Sequence, residues 1–556
     1  MSEKSGHRDN TSVRSNFTAI ENLADMVRTT LGPRGLDKML VSSGGKVVVT
    51  NDGASILDRI DVDHPAAKLA VEVAQQQDSR AGDGTTSAFL LTGELLKQAR
   101  DLMDRGVHQH KIIQGYQLAA DSVHGKLTDL SVQVDRSDDE LLRDVARTVV
   151  TGKWNEDETE FLVEKAVAVI REIERDGRVR FDRITRKTLP GGSLYDSMLI
   201  HGLVIDLDES STDLITAGGQ TFSEDKSSRI ALIDEELSID KADGVGAVTV
   251  QTYDEHRQLQ AYEQDVYSEH VSSIVNSGAD IVFCQQSIDT PVQRELADNG
   301  ILAVERTRRD ELQKLARATG AQPVLAEDLT PAVVGQAAEI NHRQLGSTPL
   351  LMVSGYDELD HISLVLRGGT AHVAEETRRK IEDCLYVLRL AIEDQLLVPG
   401  GGATEMALAK ECRRMGNTYA GREQLAVEAF ADALETLPAT LVQSAGMDPI
   451  DTLAHLRNVH AEGSEMVGVN VESSRTENMV DSGIVEPLHI KNQMIMAAVD
   501  AASLILRIDD QIATDNPNLG QNEHDHEHDH ESESGGMVHS TDGYPWAVGH
   551  SMGHDH

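Results

Sequence analysis

Cysteine is scarce in this sequence. The 556 residues include three cysteines, Cys284, Cys384 and Cys412, which lie far apart and form no CxxC pair. An odd number at this spacing predicts neither a disulfide framework nor a cysteine zinc site. Reduced thiols are typical of the cytoplasm, so we expect a cytoplasmic protein.

Long apolar runs are also missing. No window holds eighteen uninterrupted apolar residues, and the N-terminal stretch MSEKSGHRDNTSVRSN is polar, without the apolar core of a signal peptide. We therefore expect a soluble protein that is not exported and that has no membrane partner.

Basic residues are few. The chain has 51 Lys and Arg against 93 Asp and Glu, a formal charge of -42. DNA, RNA and anionic lipid each require a basic face, so this charge argues against all of them as main partners. An acid excess spread along the whole chain is typical of a solvated surface suited to concentrated salt, and it predicts a salt-adapted source.

The sequence also lacks a P-loop, because no GxxxxGKS or GxxxxGKT motif occurs in it. The nearest candidate, Gly152-Lys153-Trp154, has neither the hydroxyl nor the upstream glycine. A Walker-type nucleotide site is therefore not expected.

The length predicts two to four domains, and the sequence pattern changes twice. Apolar residues recur at helical spacing from Asn16 to about residue 145 and again after about residue 398. Between about 204 and 361, short apolar runs alternate with helical segments, as in a compact α/β domain. We expect a mostly helical domain built from both chain ends, with the α/β domain inserted between them.

Two local features are predicted within the helical ends. MLVSSGGKVVVTNDG predicts a hairpin that turns at Gly44-Gly45 and is followed by a second turn at Asn51-Asp52-Gly53. REQLAVEAFADALETLPATL predicts an amphipathic helix that begins at Arg422.

The stretch RAGDGTTSAF, residues 80 to 89, combines glycines and hydroxyls suited to a phosphate with a carboxylate that repels one. A helix beginning there would offer free N–H groups to an anion, with hydroxyls from Thr85, Thr86 and Ser87. Asp83 is compatible with a phosphate if it binds Mg²⁺, which accepts carboxylate and phosphate oxygens together. An ordinary helix cap explains the same residues equally well.

Each of three further motifs also has two interpretations, one structural and one as part of a binding site. TTLGPRG, residues 29 to 35, either ends a helix or lays its backbone along a phosphate. Asn51-Asp52-Gly53 is either a turn or part of a site. VPGGGATE, residues 398 to 405, is either a flexible hinge or a glycine-rich surface that a flat purine can approach.

Several motifs, in one order, carry a family resemblance: TTLGPRGLDKML, VTNDGASIL, HPAAKLAVEVA, GDGTTS, VPGGGATE, REQLAVEAFADALETLP and GIVEPLHIK. The chain resembles the group II chaperonins, the archaeal thermosome subunits and their eukaryotic cytosolic relatives, over about residues 15 to 515. The resemblance implies an ATP-driven chaperone that encloses non-native polypeptides in a double ring of like subunits.

The family's plan implies a multidomain fold with α and α/β parts. Its equatorial ATP-binding domain would comprise residues 1–145 and 399–521, and its hinge-like intermediate domain residues 146–203 and 362–398. The apical domain would comprise 204–361, with a helical protrusion near 243–265, and the His- and Asp-rich residues 522–556 would be a disordered tail. Such a tail is also able to bind transition metals loosely.

The resemblance also implies residue roles for ATP and Mg²⁺. Asp83 would hold the metal, and Asp52 and Asp383 would activate the attacking water. Lys153 matches a lysine over the γ-phosphate, although Trp154 departs from the family pattern. The remaining nucleotide-binding residues would be Leu31, Gly32, Pro33, Gly53, Gly82, Gly84, Thr85, Thr86, Ser87, Gly400, Gly401, Gly402 and Glu486, with Gly401 at the adenine and Glu486 at the ribose.

Two alternatives to a working chaperonin ATPase stay open. One is a mainly structural nucleotide-binding subunit of a mixed ring, and the other is a small-molecule kinase, which would need an acceptor pocket. Within 243–274, Leu259, Tyr262, Val266 and Ile274 form a partial apolar stripe. It is typical either of a face for a neighbouring subunit or of the inward face of a helix.

Overall fold

The fold was analysed in a computed structural model of the chain, which describes residues 11–45, 47–152, 154–207, 227–238, 266–346, 348–354 and 361–509. The predicted protrusion and the predicted tail lie outside these residues, as does Lys153. No helix in the described ranges is long and apolar enough to cross a membrane.

Helices dominate both ends of the chain, as the apolar spacing predicted. In order, the helices are Thr11–Arg28, Gly53–Arg59, Pro65–Ala81, Thr85–Asp104, Gln109–Leu130, Asp139–Val150, Glu156–Ile173, residues 266–277, Thr290–Asp298, Arg309–Thr319, Ala371–Asp394, Ala403–Gly416, Arg422–Ser444, Pro449–Ala461 and Leu488–Arg507.

The two ends share one hydrophobic core. Its buried side chains come from residues 13–130 and from residues 398–506, and they include Phe17, Phe89, Tyr116 and Phe430. The rings of Tyr116 and Phe430 lie 5.9 Å apart, and the Tyr116 hydroxyl donates to the Leu95 carbonyl at 2.7 Å. A buried phenol requires such a partner. This shared core is what a single helical domain built from both chain ends requires. The boundaries of that domain remain a prediction.

A second core surrounds the long Ala371–Asp394 helix. It takes buried side chains from residues 134–194 and 362–397, together with Val485 and Ile490. Beside this helix, Ile362–Gly368 pairs in parallel with Ile184–Pro190 and antiparallel with Met198–His201.

The middle of the chain contains a parallel sheet. Its strands run in the order Leu302–Val304, Ile281–Cys284, Ser228–Ile233 and Pro323–Val324, and Gly335–Ala337 joins antiparallel. Alternate residues of Ser228–Ile233 enter different cores, one on each face of the sheet. This is the α/β architecture that the short apolar runs predicted. Ile274 is buried in the core on one face of this sheet, whereas Val266, the other described residue of the predicted stripe, is half-buried.

The other strands form small antiparallel sheets. In one, Thr348–Ser354 lies between Glu339–Leu345 and Leu203–Asp206, and in another, Leu396–Pro399 lies between Val485–Pro487 and Val132–Gln133. Two further sheets have two strands each: Val467–Asn470 with Arg475–Asn478, and Glu174–Arg175 with Arg178–Val179.

The predicted hairpin is confirmed. Lys38–Val41 pairs antiparallel with Val47–Thr50, and Gly45 takes a positive φ of 78° in the turn. The turn predicted at Asn51-Asp52-Gly53 is wrong, because Asp52 is the cap and Gly53 the first residue of a helix. Asp52 caps Gly53–Arg59 by accepting the backbone N–H of Ser55 at 2.9 Å. The same short polar side chain favours turns and caps, so the sequence pattern did not separate them.

Candidate functional site

One cavity of about 310 Å³ collects most of the residues that the resemblance had implied. The predicted residues that line it are Leu31, Gly32, Pro33, Asp52, Gly53, Gly82, Asp83, Gly84, Thr85, Thr86, Ser87, Asp383, Gly401, Gly402 and Glu486. Gly400 is not one of the described lining residues. It lies behind the wall, where its N–H donates to the Ile484 carbonyl at 2.8 Å.

Three helices begin at this cavity. Gly84 precedes Thr85–Asp104 and Gly402 precedes Ala403–Gly416, both with positive φ, and Asp52 precedes Gly53–Arg59. A glycine cap has no side chain to satisfy the first N–H groups of its helix. Two helix dipoles therefore point positive ends into the cavity, an arrangement that favours an anion such as a phosphate.

The Asp83 carboxylate is not the cap of the helix that follows it. Its Oδ1 accepts the backbone N–H of Gly84 at 2.6 Å, while Gly84 itself occupies the cap position. The simple capping interpretation of the Gly82–Ser87 run is therefore insufficient, since the carboxylate lines the cavity.

Two of the predicted motifs are packed directly against each other. A Cβ on Gly53 would lie 2.1 Å from Thr86 Oγ1, far inside contact distance. Glycine is thus required at position 53 by close approach. The contact fixes the start of one helix against the start of the other.

Asp52, Asp83 and Asp383, hereafter the three aspartates, line the same cavity. Asp383 comes from the Ala371–Asp394 helix, which belongs to the second core, and Lys380 lies one turn before it. The Lys380 ammonium donates to Asp383 Oδ2 at 3.1 Å. This pair brings a fixed cation to the acidic end of the cavity.

Burial and neighbouring charge set the protonation of this pair. Burial, reinforced by the carboxylates of Asp83 and Asp52, raises the pKa of Asp383 to about 7, although Lys380 opposes the shift. Burial alone would lower the pKa of Lys380. The three aspartates outweigh it, and the pKa of Lys380 lies above its ordinary value. Asp383 is therefore poised to exchange a proton near neutral pH.

A second charged group occupies the wall formed by Glu486. The Lys491 ammonium lies 2.9 Å from Glu486 Oε2 and 2.7 Å from Glu405 Oε1. The side chains of Lys491 and Glu405 are 9% and 2% exposed, whereas that of Glu486 is 25% exposed. Burial, reinforced by the carboxylate of Glu405, raises the pKa of Glu486 above its ordinary value, although Lys491 opposes the shift.

The glycines of VPGGGATE bring backbone close to their neighbours. Gly401 and Gly402 both have positive φ, and a Cβ on either would lie about 2.5 Å or less from Met479 or Pro438. Pro438 lies inside the Arg422–Ser444 helix and packs against Gly402. These tight contacts favour a fixed surface over the flexible hinge that was the alternative.

The segment before Lys153 also reaches the cavity. Residues 147–152 line it, and a Cβ on Gly152 would lie 1.9 Å from the Pro33 carbonyl oxygen. Gly152 takes a φ of 109°, a conformation that glycine tolerates. The residues adjoining the second core therefore pack on the TTLGPRG loop of the first.

The donor set suits a magnesium-bound nucleoside triphosphate. Carboxylates, hydroxyls and backbone N–H groups line the cavity together with Gly401 and Val469. Within the described residues, no group of three or more His, Cys, Asp and Glu side chains is arranged to hold a metal by itself.

Sequence reasoning missed Lys380, Glu405 and Lys491. Lys380 had a local signal, because it precedes Asp383 by three residues in a helix. Glu405 and Lys491 are 86 residues apart, and no local signal pairs them.

Comparison with known proteins identifies the family. The sequence profile of the TCP-1/cpn60 chaperonin family matches residues 23–516. A thermosome subunit of Methanopyrus kandleri is 40% identical over 508 residues, 90% of this chain and 91% of the relative. Thermosome subunit alpha of Halobacterium salinarum is 40% identical over 507 residues, 91% and 89% of the two chains. Thermosome subunit alpha of Thermoplasma acidophilum is 40% identical over 518 residues, 91% and 93%.

The chain therefore belongs to the TCP-1/cpn60 chaperonin family. Its similarity to thermosome subunits along nearly its whole length places it with the group II chaperonins, and the resemblance seen in the sequence is confirmed.

Proposed function

We propose that the chain is an ATP-driven chaperonin subunit that folds non-native polypeptides within a double ring of like subunits, and that it hydrolyses ATP in the cavity described above. One observation carries the ATPase proposal: the three aspartates share a cavity with the glycine-capped start of the Thr85–Asp104 helix. Carboxylates able to hold a cation and groups able to bind phosphate are then on one surface, as phosphoryl transfer requires.

Each predicted residue has a proposed task. The Thr85–Asp104 helix start and the hydroxyls of Thr85, Thr86 and Ser87 bind the phosphates, and Asp83 holds Mg²⁺. When bound, the ion neutralises phosphate charge as a Lewis acid. Gly401 gives the adenine a close approach to the backbone.

Asp383 and Asp52 orient the attacking water, and Asp383 takes its proton. A base with a pKa of about 7 is suited to this step, because it is substantially ionised at neutral pH and still basic enough to accept a proton. Lys380 holds the Asp383 carboxylate in place. A mainly structural subunit is not favoured, since all three aspartates are present and line the cavity.

The domain division also becomes a proposal here. Residues 1–145 and 399–521 would form the ATP-binding equatorial domain, 146–203 and 362–398 the hinge, and 204–361 the client-binding domain. The Ala371–Asp394 helix places Asp383 at the cavity while packing in the second core. Movement of that core therefore adds or removes a catalytic group.

Mutation can distinguish the proposed metal-binding role of Asp83 from the proposed general-base role of Asp383. Asp383→Asn should reduce ATP turnover by about 100-fold or more while Mg-ATP still binds, because a general base contributes about 10²- to 10⁴-fold. Asp83→Asn should weaken Mg-ATP binding itself. Steady-state phosphate release and calorimetric binding on the assembled protein measure both. Equal loss of nucleotide affinity in the two variants would refute the division of roles.

A further inference from the structure

The buried ammonium of Lys491 lies between two glutamates at the edge of the nucleotide cavity. Its distances of 2.7 Å to Glu405 Oε1 and 2.9 Å to Glu486 Oε2 are those of charge-assisted hydrogen bonds. Lys491 lies in the first turn of the Leu488–Arg507 helix, directly after the Val485–Pro487 strand that carries Glu486. The two groups are therefore held on one rigid corner.

The two glutamates are in different positions relative to the cavity. Glu405 is almost completely buried in the Ala403–Gly416 helix, and its Oε2 has no hydrogen-bond partner within the described residues. Glu486 keeps a quarter of its side chain exposed, and its Oε1 lies beside Gly400, where a Cβ would approach it to 3.0 Å. Lys491 thus pairs with Oε2 of Glu486, and Glu486 itself is one of the residues that line the cavity.

The charge balance explains why two carboxylates are present. Lys491 and Glu405 together are neutral, so Glu486 can keep its own negative charge. Without the ammonium, two close carboxylates in a buried site would share a proton, because like charges disfavour ionisation and so does burial. A protonated Glu486 carboxyl would donate one hydrogen bond and accept others only weakly. The ionised carboxylate accepts hydrogen bonds and donates none.

We propose that Lys491 is a positioning residue for sugar recognition: it keeps Glu486 ionised and oriented so that Oε1 accepts hydrogen bonds from the vicinal hydroxyls of a ribose. The proposal rests on the proposed nucleotide function and extends it to a residue outside the predicted site. Its consequence is discrimination between ribonucleotides and deoxyribonucleotides. An analogue without the 2′-hydroxyl keeps only one of these two hydrogen bonds, so it should bind more weakly.

The test measures binding of ADP and of 2′-deoxy-ADP to the full-length assembled protein by calorimetry, with Mg²⁺ present. The parent should prefer ADP. In Lys491→Met, which keeps the length of the side chain and removes its charge, that preference should fall by about tenfold or more. Lys491→Arg should retain most of it. Glu486→Gln should lose it, and the double variant Lys491→Met with Glu486→Gln should lose no more than Glu486→Gln alone.

Lys410→Met is the matched control. The Lys410 ammonium also bridges two acceptors, Glu465 Oε1 at 2.9 Å and the His460 carbonyl at 2.6 Å, and it lies in the same helix as Glu405 but outside the nucleotide cavity. Its removal should leave the preference for ADP unchanged. If Lys491→Met does not fold, the Lys491→Arg and Glu486→Gln measurements still decide the question, because discrimination lost in Lys491→Arg or kept in Glu486→Gln contradicts the proposal.

Two outcomes would overturn the inference. One is a folded Lys491→Met that loses ADP and 2′-deoxy-ADP affinity equally, which would show a structural role only. The other is a parent that binds both nucleotides equally well. A parent that binds neither and hydrolyses no ATP would instead refute the proposed function.

Discussion

Lys380 lies one helical turn before Asp383 and donates to its Oδ2 at 3.1 Å, inside a cavity that also contains Asp52 and Asp83. The ammonium therefore offsets part of the negative charge where phosphates are expected to bind. It also opposes the burial and like-charge effects that raise the pKa of Asp383. If Asp383 is the base, as proposed, the balance between these effects should make ATP hydrolysis dependent on pH.

The first prediction is the pH profile of ATP hydrolysis. The base form of Asp383 grows as pH rises, so kcat/KM, which reports the free enzyme, should increase through about pH 7 and then level off. Lys380→Met should move this rise to higher pH, because removing a nearby cation raises the pKa of a carboxyl group. A rise at the same pH in Lys380→Met and in the parent would contradict the coupling.

The second prediction concerns stability. The folded pKa of Asp383, about 7, lies above the ordinary value of 3.8, so the folded protein holds a proton that the unfolded chain releases. The free energy of unfolding therefore decreases as the pH rises from about 3.8 to about 7, the range between the unfolded and folded pKa values of Asp383. Nucleotide-free Asp383→Asn should therefore have a higher Tm than the parent at alkaline pH, and the difference should shrink as the pH falls.

Asp121→Asn provides the control for that measurement, since Asp121 is an exposed residue of the Gln109–Leu130 helix. Scanning calorimetry of both variants across the pH range would decide the matter. An Asp383→Asn variant with a Tm at or below that of the parent at every pH would show that the carboxyl does not destabilise the fold.

These residues also show what the sequence could reveal. Thr85, Thr86 and Ser87 follow Gly84 directly, so a helix start with hydroxyls was visible in a single short stretch. The three aspartates come from three separate segments, and only the family resemblance brought them together. Glu405 and Lys491 end the quoted motifs VPGGGATE and GIVEPLHIK, but the sequence assigned neither of them a role. Their pairing depends on tertiary packing between helices, which leaves no local pattern.

The third prediction concerns the contact between Gly53 and Thr86. Gly53→Ala would place a methyl group 2.1 Å from Thr86 Oγ1, and the two helix starts would have to separate. Overpacking of this kind costs about 1–3 kcal/mol, so ATP affinity should fall by about tenfold. Calorimetric titration with Mg-ATP measures the effect.

Gly125→Ala, in the Gln109–Leu130 helix, is the control, because outside the adjoining backbone of that helix no atom lies within 4 Å of the added methyl group. Alanine is the better helix former, so this variant should gain about 0.5–1 kcal/mol of stability and keep its nucleotide affinity. If Gly53→Ala bound Mg-ATP as tightly as Gly125→Ala, the packing of the two motifs would not matter for binding.

The fourth prediction follows from the charge of -42. Carboxylates repel one another at low ionic strength, and raising the salt from about 0.1 M to about 1 M shortens the screening length from about 10 Å to about 3 Å. Ring assembly and ATP hydrolysis should therefore increase as KCl enters the molar range. Sedimentation velocity and phosphate release measured along one KCl series test this. A protein that assembles and works equally well in dilute buffer would contradict salt adaptation.

The small sheet that joins Leu396–Pro399 to both Val132–Gln133 and Val485–Pro487 has a consequence for protein synthesis. A ribosome must translate nearly the whole chain before Glu486 and Lys491 exist, so a nascent chain that already contains Asp83 and Asp383 still lacks one wall of the cavity. Under the proposed function, high nucleotide affinity should appear only when translation is almost complete. Nucleotide occupancy would distinguish finished subunits from truncated ones, before either meets a ring.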